Sequence, residues 1–238
     1  MPAPDPSRAS AARGRFQRDV LWNFGSLAIL GFAGIALNWL IGSQYGSAAL
    51  GVFTQVLAAY FLFSQAAVGG IDRSVLRITA EEPDDRERAA AALCAGLWPA
   101  ALLSVGFTVA FVAVRHWVAL KLESPDVAVG MAWAAPGLFC FALNKVLLGT
   151  TNGRRRMRAF ALLNALRYVL ILGGLLVAML LDFGAARLGF VLSFAEVLLL
   201  ACLLFEVRDL LGRVRPGGLL ALTRTHLVYG AKSAVSGM

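Results

Sequence analysis

Long apolar runs separated by short polar clusters dominate the chain. Between Val20 and Ile71 there is no aspartate, glutamate, lysine, arginine or histidine. About 20 apolar residues suffice to cross the hydrocarbon core of a bilayer, so this run is too long for one helix. A turn-forming cluster rich in glycine and serine divides it at residues 42–47. The pattern therefore predicts one membrane helix at 20–41 and a second at 48–71.

Four more apolar segments repeat this pattern farther along the chain. The predicted helices are 89–114, 127–150, 159–181 and 188–207. A charged connector, 72–88, precedes the first of them, and Pro136-Gly137 interrupts the second. The fold class predicted is an all-α, polytopic membrane helix bundle of six transmembrane helices. A tail at 1–19, rich in Pro, Ala, Ser and Arg, is predicted to be disordered. A basic connector at 208–226 leads to 227–238, the start of a seventh span.

The composition agrees with a lipid-embedded chain. Hydrophobic residues make up 59% and charged residues 15%, whereas soluble domains have about 45–50% and about 25%. The net charge of +8 does not indicate nucleic acid, because the basic residues form clusters between the apolar runs. The three cysteines lie far apart within apolar segments and show no metal-ligand spacing. We therefore predict no metal site and no cofactor.

Arginine placement predicts the orientation. The tail and the connectors after helices 2, 4 and 6 contain 16 lysines and arginines, whereas the connectors on the other side contain only 3. The positive-inside rule then puts the N-terminus and the even-numbered connectors in the cytoplasm. We expect a multi-pass protein surrounded by membrane lipids.

Three charged residues fall inside the predicted spans: Lys145, Arg167 and Glu196. Each costs a few kcal/mol near the centre of a membrane helix, so each needs a physical reason. At 1.5 Å per residue they lie about 8, 12 and 16 Å from the cytoplasmic ends of their helices. Other polar residues lie on the same helix faces as Arg167 and Glu196, or along one side of helix 1. Several helices therefore carry a polar stripe, and such stripes face a bundle interior or a water-filled cavity. The predicted substrate-binding residues are Lys145, Arg167, Asn164, Glu196, Asn23 and Asn38.

Two interpretations of these charges remain open. In the first, Lys145 and Arg167 line a hydrated cavity and attract an anionic headgroup, for which guanidinium is well suited. Glu196 would then temper that attraction or take up a coupling cation or proton. In the second, Lys145 extends to the membrane surface, and Arg167 and Glu196 form a structural ion pair between neighbouring helices.

Several short motifs resemble a known family of membrane proteins. They are Leu21-Trp22-Asn23-Phe24-Gly25-Ser26, Leu37-Asn38, Gly46-Ser47-Ala48-Ala49-Leu50-Gly51-Val52-Phe53, Gly69-Gly70-Ile71-Asp72-Arg73-Ser74-Val75-Leu76-Arg77 and Asn152-Gly153-Arg154. Over residues 18–238 the chain is similar to the polysaccharide transporters, the O-antigen-type flippases of the multidrug/oligosaccharidyl-lipid/polysaccharide exporter superfamily. The resemblance implies a carrier that moves undecaprenyl-pyrophosphate-linked sugars across the bacterial inner membrane for surface polysaccharide and lipopolysaccharide synthesis. It also implies two six-helix lobes around a cationic cavity.

Family members have twelve to fourteen spans, whereas this sequence predicts six and the beginning of a seventh. We therefore expect one N-terminal lobe of a truncated or partial protein; self-association of two copies is the alternative. Other functions stay open: a drug or metabolite antiporter of the same superfamily, a membrane enzyme, or a non-transporting partner in polysaccharide assembly. An enzyme is disfavoured, since His116 and His226 are predicted at opposite membrane faces and lack partner motifs.

Overall fold

The computed structural model describes the backbone of residues 6–212 and 218–236, and the side chains of 21–22, 24–212 and 218–233. Every regular element in these ranges is helical, which confirms the predicted fold class. The helices are α1 (Pro6–Val68), α2 (Ile71–Glu81), α3 (Arg86–Lys121), α4 (Pro125–Gly153), α5 (Met157–Leu180), α6 (Phe190–Glu206) and α7 (Leu219–Ser236), with a 3₁₀ turn at Ala185–Arg187.

Among the described residues, five helical stretches are long and apolar enough to cross a membrane. The first of them, Phe24–Val68, has 45 residues, which at 1.5 Å per residue is about twice the thickness of a hydrocarbon core. It is broken at Gly46, whose φ of 86° and ψ of 170° are not helical. Glycine adopts this positive φ at no steric cost. The two arms of α1 therefore supply the first two of the six predicted crossings.

The two arms of α1 lie side by side. A Cβ added at Gly42 would be 3.8 Å from Leu50 Cδ2, across the break. Residues 30–38 of the first arm and 53–61 of the second also line one common cavity. The chain thus reverses at a single glycine rather than through the whole predicted cluster at 42–47.

Helix α2 lies almost entirely in the region 72–88 that we predicted to be a charged connector, and residues 72–81 of that region are helical. Its buried residues are Ile71, Ser74, Val75 and Thr79, the spacing of one helix face. Glycines on α4 allow a close approach: Cβ atoms at Gly149 and Gly153 would lie 2.7 Å and 2.8 Å from carbonyl oxygens of α2. The arginines on the opposite face made the segment resemble a loop in the sequence.

Two other predicted boundaries differ from the structure. The helix that begins at Pro6 includes residues 6–19, which composition predicted to be disordered. Helix α7 begins at Leu219, within the predicted connector 208–226; residues 213–217 lie outside the described residues. In both places Ala, Leu and Arg, which are strong helix formers, outweigh the neighbouring helix breakers.

Helix α4 is the centre of the bundle, with the largest buried share of the candidate spans. Large apolar side chains such as Phe32, Trp39, Leu62 and Leu102 are exposed around the periphery, as expected of a lipid-facing surface. The buried apolar residues form two clusters. On α4 the first extends to Ala142 and the second begins at Val146. On α6 the same boundary lies between Leu192 and Leu199.

Candidate functional site

A buried polar layer separates the two apolar clusters. It contains Asn144 from α4, Arg167 from α5 and Glu196 from α6, whose relative exposures are 0%, 7% and 3%. Asn144 and Glu196 lie where α4 and α6 pass from one apolar cluster to the other, whereas Arg167 lies between Leu166 and Leu170, which both pack against the second cluster. The three side chains converge because α4, α5 and α6 pack against one another at this level.

Arg167 and Glu196 form an ion pair. Nε of Arg167 lies 2.8 Å from Oε1 of Glu196, although its N–H is not aimed at that oxygen. Nη2 donates a hydrogen bond to Oε2 at 3.3 Å. This is the arrangement of the second sequence interpretation, in which the two charges compensate each other. A charge buried in hydrocarbon is tolerated when it is paired in this way.

Asn144 completes the coordination of the carboxylate. Its Nδ2 donates to Oε2 of Glu196 at 2.7 Å and to the Glu196 carbonyl oxygen at 2.9 Å. The sequence singled out Lys145 and treated Asn144 only as its neighbour. Nothing in the sequence fixes which of two consecutive residues on α4 faces α6, so the structure was needed to choose.

Lys145 lies near Arg167, against the same phenylalanine ring, but is not part of the ion pair. Its Nζ is 5.8 Å from the centroid of the Phe141 ring, and Cζ of Arg167 is 4.9 Å from the same centroid. Lys145 is half-buried, and among the described residues no carboxylate lies within ion-pair distance of it. Phe141 thus interacts with two cations, of which Arg167 is neutralised by Glu196 and Lys145 is not.

Tyr60, from the second arm of α1, closes the layer and was missed by the sequence analysis. It is buried, and its ring contacts Phe141 edge-on with a centroid separation of 6.0 Å. Its hydroxyl has no hydrogen-bond partner among the described atoms. A tyrosine within an apolar run gives no sequence signal that separates it from ordinary core aromatics.

The remaining predicted site residues lie elsewhere. Asn38 is exposed, and its amide donates to the Gly34 carbonyl at 2.8 Å. It lines a cavity of about 520 Å³ between the arms of α1, where Tyr168 and Leu192 form part of the wall. Asn164 is half-buried on α5, one turn from Arg167. The side chain of Asn23 lies outside the described residues.

The structure places the predicted site residues in separate regions. The cavity between the arms of α1 is lined by Asn38 but by none of Lys145, Arg167 and Glu196. Helical spacing placed polar residues on faces correctly. It could not show that the face carrying Arg167 and Glu196 is filled by neighbouring helices.

The fold and the paired charges define the class of protein: a polytopic membrane helix bundle with an internal ion pair. No family model matches the chain, and no curated protein matches it. Solved structures do. One is a MATE protein crystallised in complex with MaD5. It is 16% identical to this chain, and the match covers 91% of this chain and 52% of the MATE protein, with a TM-score of 0.68.

A second similar structure is the outward-facing conformation of a multidrug resistance MATE family transporter of the MOP superfamily. It is 15% identical, covers 93% of this chain and 52% of its own length, and has a TM-score of 0.70. The chain thus spans about half the length of both proteins and has the fold of one lobe. The similarity to these two structures is a similarity of fold. Membership in the O-antigen flippases stays a prediction.

Proposed function

We propose that this chain is one lobe of a membrane transporter that moves a polyprenyl-pyrophosphate-linked oligosaccharide across the bacterial inner membrane. The observation that carries the proposal is Lys145, a half-buried cation within a membrane helix and without a carboxylate partner among the described residues. Retaining such a charge is costly unless it serves a ligand or a water-filled path. A pyrophosphate headgroup supplies the missing negative charge.

The ion pair has a different role in this proposal. Arg167 and Glu196 neutralise each other and join α5 to α6, so the lobe can move as one body while Lys145 contacts the substrate. The second lobe that completes the cavity would come from another part of a longer chain or from another copy.

A genetic experiment tests the flippase proposal directly. Deletion of the gene should cause lipid-linked oligosaccharide to accumulate facing the cytoplasm, detectable by leaflet-selective labelling in membrane vesicles. A plasmid-borne Lys145→Ala variant should fail to complement. Lys121→Ala, which removes an exposed lysine elsewhere on the bundle, is the matched control and should complement fully. Normal translocation by Lys145→Ala would contradict the proposal.

A multidrug exporter is the second candidate, and the cavity between the arms of α1 favours it. Gly34, Phe53 and Phe61 are among its mostly apolar lining residues, and no charged side chain among the described residues lines it. Such a pocket suits an amphiphilic organic molecule. A Cβ at Gly34 would meet nothing within 4 Å, so a side chain can be introduced at this lining position, and a leucine there should reduce the volume of the cavity.

The two candidates predict opposite results for the same two variants. If the protein exports drugs, Gly34→Leu should abolish resistance in an efflux-deficient strain, whereas Lys145→Ala should leave it intact. If it moves a pyrophosphate-linked lipid, Lys145→Ala should be the inactive variant in the leaflet assay. Drug susceptibility unchanged by deletion of the gene would exclude the exporter.

A further inference from the structure

An apolar groove opens on the outer surface of the bundle between α5 and α6. It has a volume of about 570 Å³ and lies at the arginine-rich end. Helix α5 contributes Ala159, Leu162 and Leu166, and α6 contributes Cys202, Phe205 and Glu206. Residues at this helical spacing form continuous walls about 10 Å long. The groove is separate from the buried polar layer and from the cavity within α1.

Arginines surround the mouth of this groove. Arg156 Nη1 lies 2.7 Å from Glu206 Oε1, and Arg208 Cζ lies 3.8 Å from the centroid of the Phe205 ring. Arg158 directly precedes Ala159 and is exposed. Three arginines therefore accompany one carboxylate at the mouth, which leaves an excess of positive charge.

The neighbouring Arg154 does not add to this excess. Its Nη1 and Nη2 donate to the two carboxylate oxygens of Asp209 at 3.1 Å and 2.6 Å. The bidentate pair fixes the turn between α4 and α5 against the end of α6. The arginines at the mouth thus lie on a rigid support.

We propose that the α5–α6 groove binds an anionic phospholipid of the surrounding membrane. One acyl chain would lie against the apolar walls, and the phosphate would contact Arg156, Arg158 and Arg208. Basic pockets between membrane helices select acidic headgroups, because guanidinium groups match phosphate in charge and geometry. A zwitterionic lipid would fill the groove but would leave the positive charge of the three arginines uncompensated. Soluble phosphate matches the charge but leaves the apolar walls empty.

Native mass spectrometry of the full chain, purified in detergent, tests this site. With equal amounts of phosphatidylglycerol and phosphatidylcholine added, the protein should retain phosphatidylglycerol preferentially. Arg158→Ala/Arg208→Ala should lower this preference roughly 30-fold, since each arginine near an anionic surface contributes a factor of about five. The matched control, Arg77→Ala/Arg86→Ala, removes two exposed arginines on α2 and α3 and should leave the preference unchanged.

Two single substitutions test the groove and the charge separately. Cys202→Phe fills the groove and should abolish retention of phosphatidylglycerol. Its control is Cys94→Phe, in a second apolar groove of about 350 Å³ that no charged residue lines. Glu206→Gln removes the carboxylate that engages Arg156 and should strengthen retention by several-fold without changing the volume of the groove.

The proposal would be overturned if Arg158→Ala/Arg208→Ala and its control double variant lost phosphatidylglycerol equally. Equal loss by Cys202→Phe and Cys94→Phe would also overturn it. In either case, lipid binding would be a property of the whole surface. Displacement of phosphatidylglycerol by glycerol phosphate alone would also overturn it in favour of a headgroup site. Unchanged or weaker binding by Glu206→Gln would contradict the role of charge.

Discussion

The Glu196 carboxylate shows, at the scale of single residues, how a membrane bundle retains a buried charge. Arg167 supplies the opposite charge, and Asn144 donates to the carboxylate oxygen that also accepts from Arg167. Removing one member leaves the others buried and unpaired, which costs more than removing both charges. The free energy of unfolding should therefore respond non-additively to substitution.

Glu196→Ala should lower the free energy of unfolding by about 3–5 kcal/mol, because it leaves the Arg167 guanidinium unpaired within the bundle. The double variant Arg167→Met/Glu196→Gln should be more stable than either corresponding single variant. Unfolding in mixed micelles of increasing denaturing detergent measures the differences. Additive losses in the double variant would show that the two residues are energetically independent. A stable double variant that still transports would show that neither contacts the substrate.

Asp209 should stabilise the arginine-rich end in a pH-dependent way. Hydrogen bonding by Arg154 lowers the pKa of the Asp209 carboxyl below its ordinary value of 3.8. Its contribution to stability should therefore be complete above that value and lost as the pH falls through the lower folded-state pKa. The thermal midpoints of wild type and Asp209→Asn should differ at pH 7 and pH 5 and converge in strong acid. A difference that vanishes already between pH 7 and pH 5 would contradict this assignment.

At the scale of elements, α4 continues through Pro136 because a side chain of α6 provides hydrogen bonds to the α4 backbone beside the proline. The Ser193 hydroxyl accepts a hydrogen bond from Gly137 N–H at 2.9 Å and donates one to the Trp133 carbonyl at 2.7 Å. Gly137 and Trp133 are four residues apart and would bond directly in an uninterrupted helix. The serine hydroxyl thus bridges the gap. Hydrocarbon cannot replace it, since it offers no hydrogen bonds.

Ser193→Ala should cost about 1–3 kcal/mol, because it leaves these two backbone groups without partners. Adding Pro136→Ala should recover part of the loss, since α4 can then close its own hydrogen bond. Ser104→Ala is the control. Ser104 lies on α3 and donates a hydrogen bond to the Phe139 carbonyl of α4, but this bond does not span the interruption at Pro136. Equal losses in Ser193→Ala and in the double variant would argue against the bridging role.

Helix α7 docks on the corner between α1 and α2 through a close backbone contact. A Cβ at Gly230 would be 2.6 Å from the Gly69 carbonyl oxygen. His226 is buried, with Nδ1 2.9 Å from Ser74 Oγ. Arg73 Nη1 reaches the Ser233 carbonyl at 3.3 Å. The helix thus packs through a glycine contact that tolerates no side chain.

In a cysteine-free background, Ser74→Cys/His226→Cys should be crosslinked readily by a short bifunctional thiol reagent. Adding Gly230→Leu should abolish the crosslink, because the side chain forces α7 away from the corner. Gly173→Leu, at a position where a Cβ meets nothing within 4 Å, should leave the crosslink unchanged. A crosslink that persists with Gly230→Leu would show that α7 does not depend on the glycine contact.

At the scale of the whole molecule, arginine-rich and arginine-poor turns should label from opposite sides of the membrane. A cysteine introduced at Arg155, in the α4–α5 turn, should react with an impermeant maleimide only after the cells are opened, whereas one at Asp182 should react in intact cells. Both residues are exposed at turns. The positive-inside rule requires this result. The reverse labelling pattern would invert the proposed topology.

The predicted spans correspond to helices because hydropathy and length report directly on the cost of exposing a backbone to lipid. Helix α2 escaped detection because it is short and its apolar residues alternate with charged ones, Asp72, Arg73, Arg77 and Glu81. The sequence allowed two interpretations of Arg167 and Glu196, a substrate-binding cavity or a structural ion pair, and could not decide between them. Tyr60 and Phe141 gave no signal, because aromatic residues in membrane helices are ordinary.

The sequence by itself determined an all-helical bundle, the approximate position of each span and the segregation of arginine to one end. These features depend on solvation and local hydrogen bonding, which each segment of chain carries with it. Only the tertiary structure decided that Glu196 faces Arg167 and Asn144, that Asn38 lines a separate cavity, and that Ser193 repairs α4. Those contacts join residues that are distant in sequence. They depend on how each helix is rotated relative to its neighbours, which no single segment encodes.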